Sequence, residues 1–221
     1  MAGKVILIGA GPGDPGLMTL KGLRELRRAD VVVHDRLVDG EIMAMIPETA
    51  RRINVGKHVA NHPVPQDEIN RILLREAQAG RRVARLKGGD CFVFGRGGEE
   101  LELLAENGVD FEVVPGVTSA LAAPAYGGIP ATHRDFCASV HIITGHRREN
   151  GGLELDYDVL VRLNGTLVFL MSVATFGDIA RGLMGAGMAA DFPCAIVENG
   201  ARPEQRRILT TVSGAKACIE E

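Results

Sequence analysis

The chain is expected to fold as an α/β protein, with a mostly parallel sheet in its N-terminal half and a mixed sheet in its C-terminal half. Three observations predict this. Short β-branched runs alternate with helical stretches, the runs of the first half are too continuously apolar to leave a wet face, and the Gly/Pro punctuation changes after Pro115.

In order along the chain, strands are expected at Val5–Ile8, Val31–His34, Val83–Leu86 and Phe111–Val114, with helices at Leu17–Arg28, Gln66–Gln78 and Glu99–Asn107 between them. Ile69, Ile72, Leu73 and Ala77 recur at helical spacing and give the middle helix an apolar stripe to lay on a sheet. A small-residue helix at Ser119–Tyr126 and turn residues at Gly127–Pro130 then lead into strands at Ser139–Ile143, Thr166–Leu170, Cys194–Val197 and Arg206–Val212. Thr175–Met184 is the clearest helix of this half, so part of the second sheet is expected to be antiparallel. The expected division is an N-terminal domain at 1–115, a linker helix and turn at 116–130, and a C-terminal domain at 131–221.

Composition narrows the function. With 46% hydrophobic and 24% charged residues over 221 positions, the usage is globular, which excludes a disordered chain or a disulfide miniprotein. Lys+Arg 25 against Asp+Glu 28 gives a net charge of −3, so no nucleic-acid partner is expected. The cations are 20 Arg to 5 Lys, a bias toward forked donors that match carboxylates. Cys91, Cys137, Cys194 and Cys218 stand apart with no C-x-x-C pair, so a reduced, cytoplasmic chain without a metal site is expected. No leader segment and no apolar run of 18 residues is seen, and no membrane partner is expected.

Two glycine loops stand out. Gly9-Ala10-Gly11-Pro12-Gly13-Asp14-Pro15 follows the first strand, with Asp35 at the end of the second, an imitation of a dinucleotide fingerprint. Asp14 stands where that fingerprint needs Gly or Ala, and Pro12 removes an N–H from the loop, so a plain tight turn competes with a nucleotide cradle. Pro15 suits a first helical turn and delays the helix. The second loop, Lys87 to Glu100, follows the Val83–Leu86 strand and sets Asp90, Arg96 and Glu99 beside the apolar step Phe92-Val93-Phe94. Arg96 and Glu99 can also be read as a solvated i, i+3 pair. Both loops fall at carboxyl ends of strands, where open α/β sheets bind ligands.

These blocks, with His34-Asp35-Arg36-Leu37-Val38, Val55-Gly56-Lys57, Val114–Ala120, Gly128-Ile129-Pro130, Thr132-His133-Arg134-Asp135 and Thr144-Gly145-His146, resemble the tetrapyrrole methylases from Val5 to about Val212. The resemblance implies two α/β domains with an active site in the cleft between them, usually as a homodimer. It also implies C-methylation of two pyrrole carbons of uroporphyrinogen III by S-adenosylmethionine, giving precorrin-2 and S-adenosylhomocysteine with no metal. Donor contacts fall by resemblance on Pro12, Gly88, Gly89, Asp90, Val93, Thr118, Ser119, Met171 and Gly200; alone, Met171 reads as a core methionine and Gly200 as a turn.

The substrate is a polyanion, and Arg36, Arg96 and Arg134 are its expected anchors inside matching motifs. Asp35 is the expected proton acceptor, Lys57 a proton donor by resemblance, and Arg96 with Glu99 a catalytic pair by resemblance in which Arg96 serves as an anion anchor. His58 and His62 are read as loop residues because Pro63 and Pro65 follow, while His133 and His146 lack a nucleophile partner. Cys91 replaces the proline usual in the family, which predicts a looser loop, and the family's last apolar strand is expected to be missing. Competing readings are a relative acting on a later precorrin, diphthamide or ribosomal RNA, and a binding protein that holds a tetrapyrrole or adenosine ligand without turnover.

Overall fold

The computed structural model describes residues 3–56, 64–146 and 153–220. They fall into two compact units, Met1–Ser119 and Ala120–Glu221.

The first unit is built on five strands, β1 (Lys4–Gly9), β2 (Val31–His34), β3 (Arg51–Asn54), β4 (Arg82–Lys87) and β5 (Asp110–Val114), in the order β3-β2-β4-β1-β5. Every pairing is parallel. Alternate residues of each strand point to opposite faces, and the two cores divide that way. Val5, Leu7, Val31, Val33 and Val83 pack on one side with Ile69, Leu73, Ala77 and Leu104. Ile6, Ile8, Val32, Ala84 and Leu86 pack on the other with Leu26 and Ile42. Both faces are covered, which is why β1 and β2 run continuously apolar, whereas β4 carries Arg85 and Lys87 on its Val83 face.

Helices α1 (Leu20–Leu26), α2 (Gly40–Ala44), α3 (Gln66–Gln78) and α4 (Gly97–Glu106) supply the covers. The expected stripe of α3 is buried. Helix α1 starts three residues later than expected from Leu17. Pro15–Leu17 forms a separate 3-10 turn capped by Asp14, and Thr19 Oγ1 caps α1 by accepting from Gly22 N at 3.0 Å. Helix α4 starts earlier, at Gly97, because Arg96 takes a left-handed conformation, φ 57°, that ends the loop there.

Helix α5 (Ser119–Tyr126) opens the second unit, which contains β6 (Val140–Thr144), α6 (Tyr157–Arg162), β7 (Thr166–Leu170), α7 (Phe176–Gly185), β8 (Pro193–Glu198), β9 (Arg206–Thr211) and α8 (Ala215–Glu220). The four expected strands are present. Among the described residues they make two separate ladders, β6 parallel to β7 and β8 antiparallel to β9, so the mixture lies between ladders and not within one sheet. Phe176, Ile179 and Leu183 of α7 form the core here with Val212 and Ala215.

Candidate active site

Loops leaving β1, β4 and β5 meet in the first unit. Gly11 and Gly89 exchange backbone hydrogen bonds, Gly11 N to Gly89 O at 3.1 Å and Gly89 N to Gly11 O at 2.7 Å. A Cβ on Gly9 would lie 2.4 Å from Gly116 N, and one on Gly116 would lie 2.2 Å from Gly89 O. Only glycine permits three main chains to approach this closely. Gly89 itself sits at φ +68° with nothing within 4 Å of the place a Cβ would take, so the space over its Cα is open although its N–H and C=O are both held by Gly11.

Asp90 ties this crossing together. Its Oδ1 accepts from Phe92 N at 2.8 Å and Val93 N at 3.1 Å, and its Oδ2 accepts from Gly116 N at 3.2 Å. The loop therefore turns on a side-chain bracket, and Phe92, Val93 and Phe94 are left exposed beside it. At Cys91, where a looser loop is expected, the side chain is fully buried, its Sγ faces Val114 O at 3.8 Å, and its carbonyl accepts from Gly97 N. Burial, helped by the nearby Asp90 charge, pushes the Cys91 thiol up to about 12.

The other expected residues of this unit surround the same strand ends. Pro12, Gly88, Thr118 and Ser119 are half-buried on the loops after β1, β4 and β5. Gly88 packs against Leu37, where a Cβ would come within 2.9 Å of the Leu37 Cβ, and so joins this loop to the one carrying Asp35 and Arg36. Arg36 is exposed, and Asp35 Oδ1 accepts from Arg85 Nη1 at 3.3 Å.

Arg96 and Glu99 form a bidentate pair, Nε to Oε1 at 2.9 Å and Nη2 to Oε2 at 2.7 Å, both side chains about half exposed. The hydrogen bond from Arg96 holds the Glu99 carboxyl below the usual carboxylate range, and Glu99 raises the Arg96 guanidinium in turn. The solvated i, i+3 geometry is thus what the chain adopts, at a residue whose backbone is strained. Lys57, His58 and His62 lie outside the described residues.

In the second unit, Met171 just past β7 is 56% exposed with φ 56°, so it is not the core methionine its sequence context suggested. Gly200 lies in the turn after β8, where a Cβ would come within 2.3 Å of the Ala123 Cβ on α5; close packing explains this glycine. Arg134 is exposed in a turn closed by the His133–Cys137 bridge, and the His133 ring lies against Phe136. His146 is exposed and its N–H donates to Thr144 Oγ1.

Sequence reasoning overlooked Arg85, Lys87 and Glu100, which are buried together with side chains 4%, 4% and 0% exposed. A signal existed: Arg85 and Lys87 occupy same-face positions of a strand expected to be covered on both faces. Among the described residues no three His, Cys, Asp or Glu side chains group as metal ligands, and no helix is long and apolar enough to cross a membrane.

The comparisons with known proteins agree with this architecture. The chain is 62% identical over 210 residues to the porphyrin biosynthesis protein HemD of Ruminiclostridium josui, covering 95% of this chain and 42% of that protein. It is 53% identical over 219 residues to the siroheme synthase of Citrobacter koseri, covering 99% and 47%. The chain thus spans less than half the length of these curated relatives. The crystal structure of uroporphyrin-III C-methyltransferase from Thermus thermophilus complexed with S-adenosyl homocysteine superposes with a TM-score of 0.84 at 42% identity, over 99% of this chain and 87% of that one. Residues 4–216 match the family whose glycine loops and α/β plan have just been described, and the chain belongs to the tetrapyrrole (corrin/porphyrin) methylases.

Proposed function

We propose that the chain methylates uroporphyrinogen III at two pyrrole carbons with S-adenosylmethionine, giving precorrin-2. The observation that carries this reading is the crossing of Gly9, Gly89 and Gly116, bracketed by Asp90, in a chain of this family. The open space over the Gly89 Cα and the exposed apolar Val93 beside it fit a nucleoside donor, with Pro12, Gly88, Asp90, Thr118 and Ser119 around them. Met171 and Gly200 are assigned to the same ligand by likeness to the family. A homodimer in the cytoplasm goes with the reading on the same ground.

S-Adenosylmethionine supplies a methyl group on a sulfonium, which leaves as the neutral thioether of adenosylhomocysteine. The nucleophile is a neutral, electron-rich pyrrole carbon. Positive charge moves from sulfur to the ring as the C–S bond breaks and the C–C bond forms, so an apolar lining does not oppose the step and alignment matters most. The ring cation then loses a proton, and Asp35 is the acceptor. Its carboxylate also stabilises the cation before the proton leaves. Arg36, Arg96 and Arg134 hold the substrate's acidic side chains, and Lys57 is assigned as proton donor.

Anaerobic addition of uroporphyrinogen III and S-adenosylmethionine tests the proposal. The absorbance of a dipyrrocorphin is expected, with two adenosylhomocysteines per macrocycle. Donor consumed only with another tetrapyrrole, or donor bound and never consumed, contradicts it.

A further inference from the structure

The first unit buries a charged cluster that the proposed chemistry leaves unused. Glu100 Oε1 accepts from Lys87 Nζ at 2.9 Å, Arg85 Nε at 3.0 Å and Gln66 Nε2 at 3.3 Å. Its Oε2 makes no hydrogen bond among the described residues. Arg85 and Lys87 share a face of β4 with Val83, beneath α3 and α4, where the neighbours are Leu7, Val33 and Leu104.

Apolar side chains would fill that position at least as favourably. Taking charges out of water costs free energy that pairing seldom returns in full, and an unpartnered carboxylate oxygen adds to the cost. Stability alone is a poor reason for the cluster. Geometry is a better one. Nε of the Arg85 guanidinium is held by Glu100, and Nη1 is shared among Asp35 Oδ1 at 3.3 Å and the carbonyls of Leu86 at 3.3 Å and Val33 at 3.5 Å, which fix the guanidinium against the ends of β2 and β4. A planar fork held on one side presents its other donors in a fixed direction, which an ammonium on a flexible stem cannot do. Burial opposes the charge of Arg85, but Glu100 and then Asp35 outweigh it, so the guanidinium stays charged and cannot itself take a proton.

We propose that Arg85, clamped by Glu100, is a positioning residue that fixes the Asp35 carboxylate for proton removal from the methylated ring, an inference that rests on the role proposed for Asp35. Arg85 engages Oδ1, and Oδ2 is the oxygen that receives the proton. Glu100 follows Glu99 in the first turn of α4, and Asn70 Nδ2 donates to Glu99 O at 3.1 Å, so the turn that holds the clamp is itself anchored to α3.

The test is a double-mutant cycle on the full chain, read by kcat, KM for uroporphyrinogen III and calorimetric adenosylhomocysteine affinity, with thermal melting as the check on folding. Arg85→Lys keeps the charge and removes the fork; it is expected to lower kcat by roughly 10- to 100-fold. KM and nucleoside affinity should stay within about two-fold, and in the Asp35→Asn background the same substitution should change kcat by less than about two-fold, because the group it positions is gone. A loss that carries over undiminished into that background overturns the inference while leaving Asp35 its role. Normal turnover by Asp35→Asn alone removes the role of Asp35, and the inference with it. If Arg85→Lys does not fold, Glu100→Gln preserves the shape, loosens the clamp and must show the same non-additivity; additive losses overturn the inference there too.

Discussion

Glu99 occupies two of the three donor-bearing nitrogens of the Arg96 guanidinium, Nε and Nη2, through its two carboxylate oxygens. In the proposed function the Nη1 edge is the one that meets a substrate carboxylate, and Glu99 fixes the direction in which that edge points. Arg96→Lys loses this arrangement but keeps the charge. KM for uroporphyrinogen III should rise by about 10-fold with adenosylhomocysteine affinity unchanged, as measured by initial rates and calorimetry. A fall in kcat at constant KM would instead give Arg96 a part in the chemical step.

Gly116 marks the tightest approach of the glycine crossing. Gly116→Ala places a methyl 2.2 Å from Gly89 O, and both neighbours are main chain, so neither can move aside as a side chain would. Overpacking of this kind costs about 1–3 kcal/mol, which should appear as a lowered Tm together with weakened binding of adenosylhomocysteine. Gly98→Ala is the control, because nothing lies within 4 Å of its Cβ position and its φ is ordinary. If both variants bind and melt alike, the crossing is not constrained as described.

The Cys91 thiol, pushed up to about 12 chiefly by burial, is almost entirely protonated at pH 8. Iodoacetamide at that pH should leave Cys91 unlabelled in the native protein and label it after unfolding, as peptide mapping would show. Labelling of native Cys91 at the rate of a free thiol would mean that the loop opens readily.

The parallel sheet was legible because β1 and β2 are apolar on both faces, and α3 because Ile69, Ile72, Leu73 and Ala77 repeat at helical spacing. Strand β3 was not. It is an edge strand with Arg51 and Arg52 exposed, and edges favour charge over β-forming residues. Arg51 joins Arg81 on the buried Glu76, so even its pairing partner lies far away in sequence. At the candidate site, residue type and motif singled out Asp35, Arg96 and the glycines as expected residues, and the glycines prove to stand at the closest main-chain approaches. It could not reveal the left-handed backbone of Phe94, Arg96 and Met171, since none of these residues favours it. The charges of Arg85 and Glu100 were visible, but their meeting depends on a strand and a helix packing together.

Edge strand β5 offers a pH-dependent contact. Glu112 accepts from Lys21 Nζ at 2.6 Å and Lys4 Nζ at 2.7 Å, and these bonds, Lys21 first, hold its carboxyl down to about 2 from an ordinary 4.5. A depressed carboxyl pKa means that the folded state binds the proton less readily than the unfolded one. The contact therefore stabilises fully above pH 4.5, weakens as pH falls through the interval from 4.5 to 2, and is lost below it. Glu112→Gln should melt below the unsubstituted chain at pH 7, and the gap should narrow at pH 3.5. Comparing the two chains at each pH cancels the other titrating carboxylates common to both. Salt should shrink the gap as well, because the lysine side chains are 37% and 49% exposed. A Tm difference that stays constant from pH 7 to pH 3 would show that Glu112 contributes through packing and not through its charge.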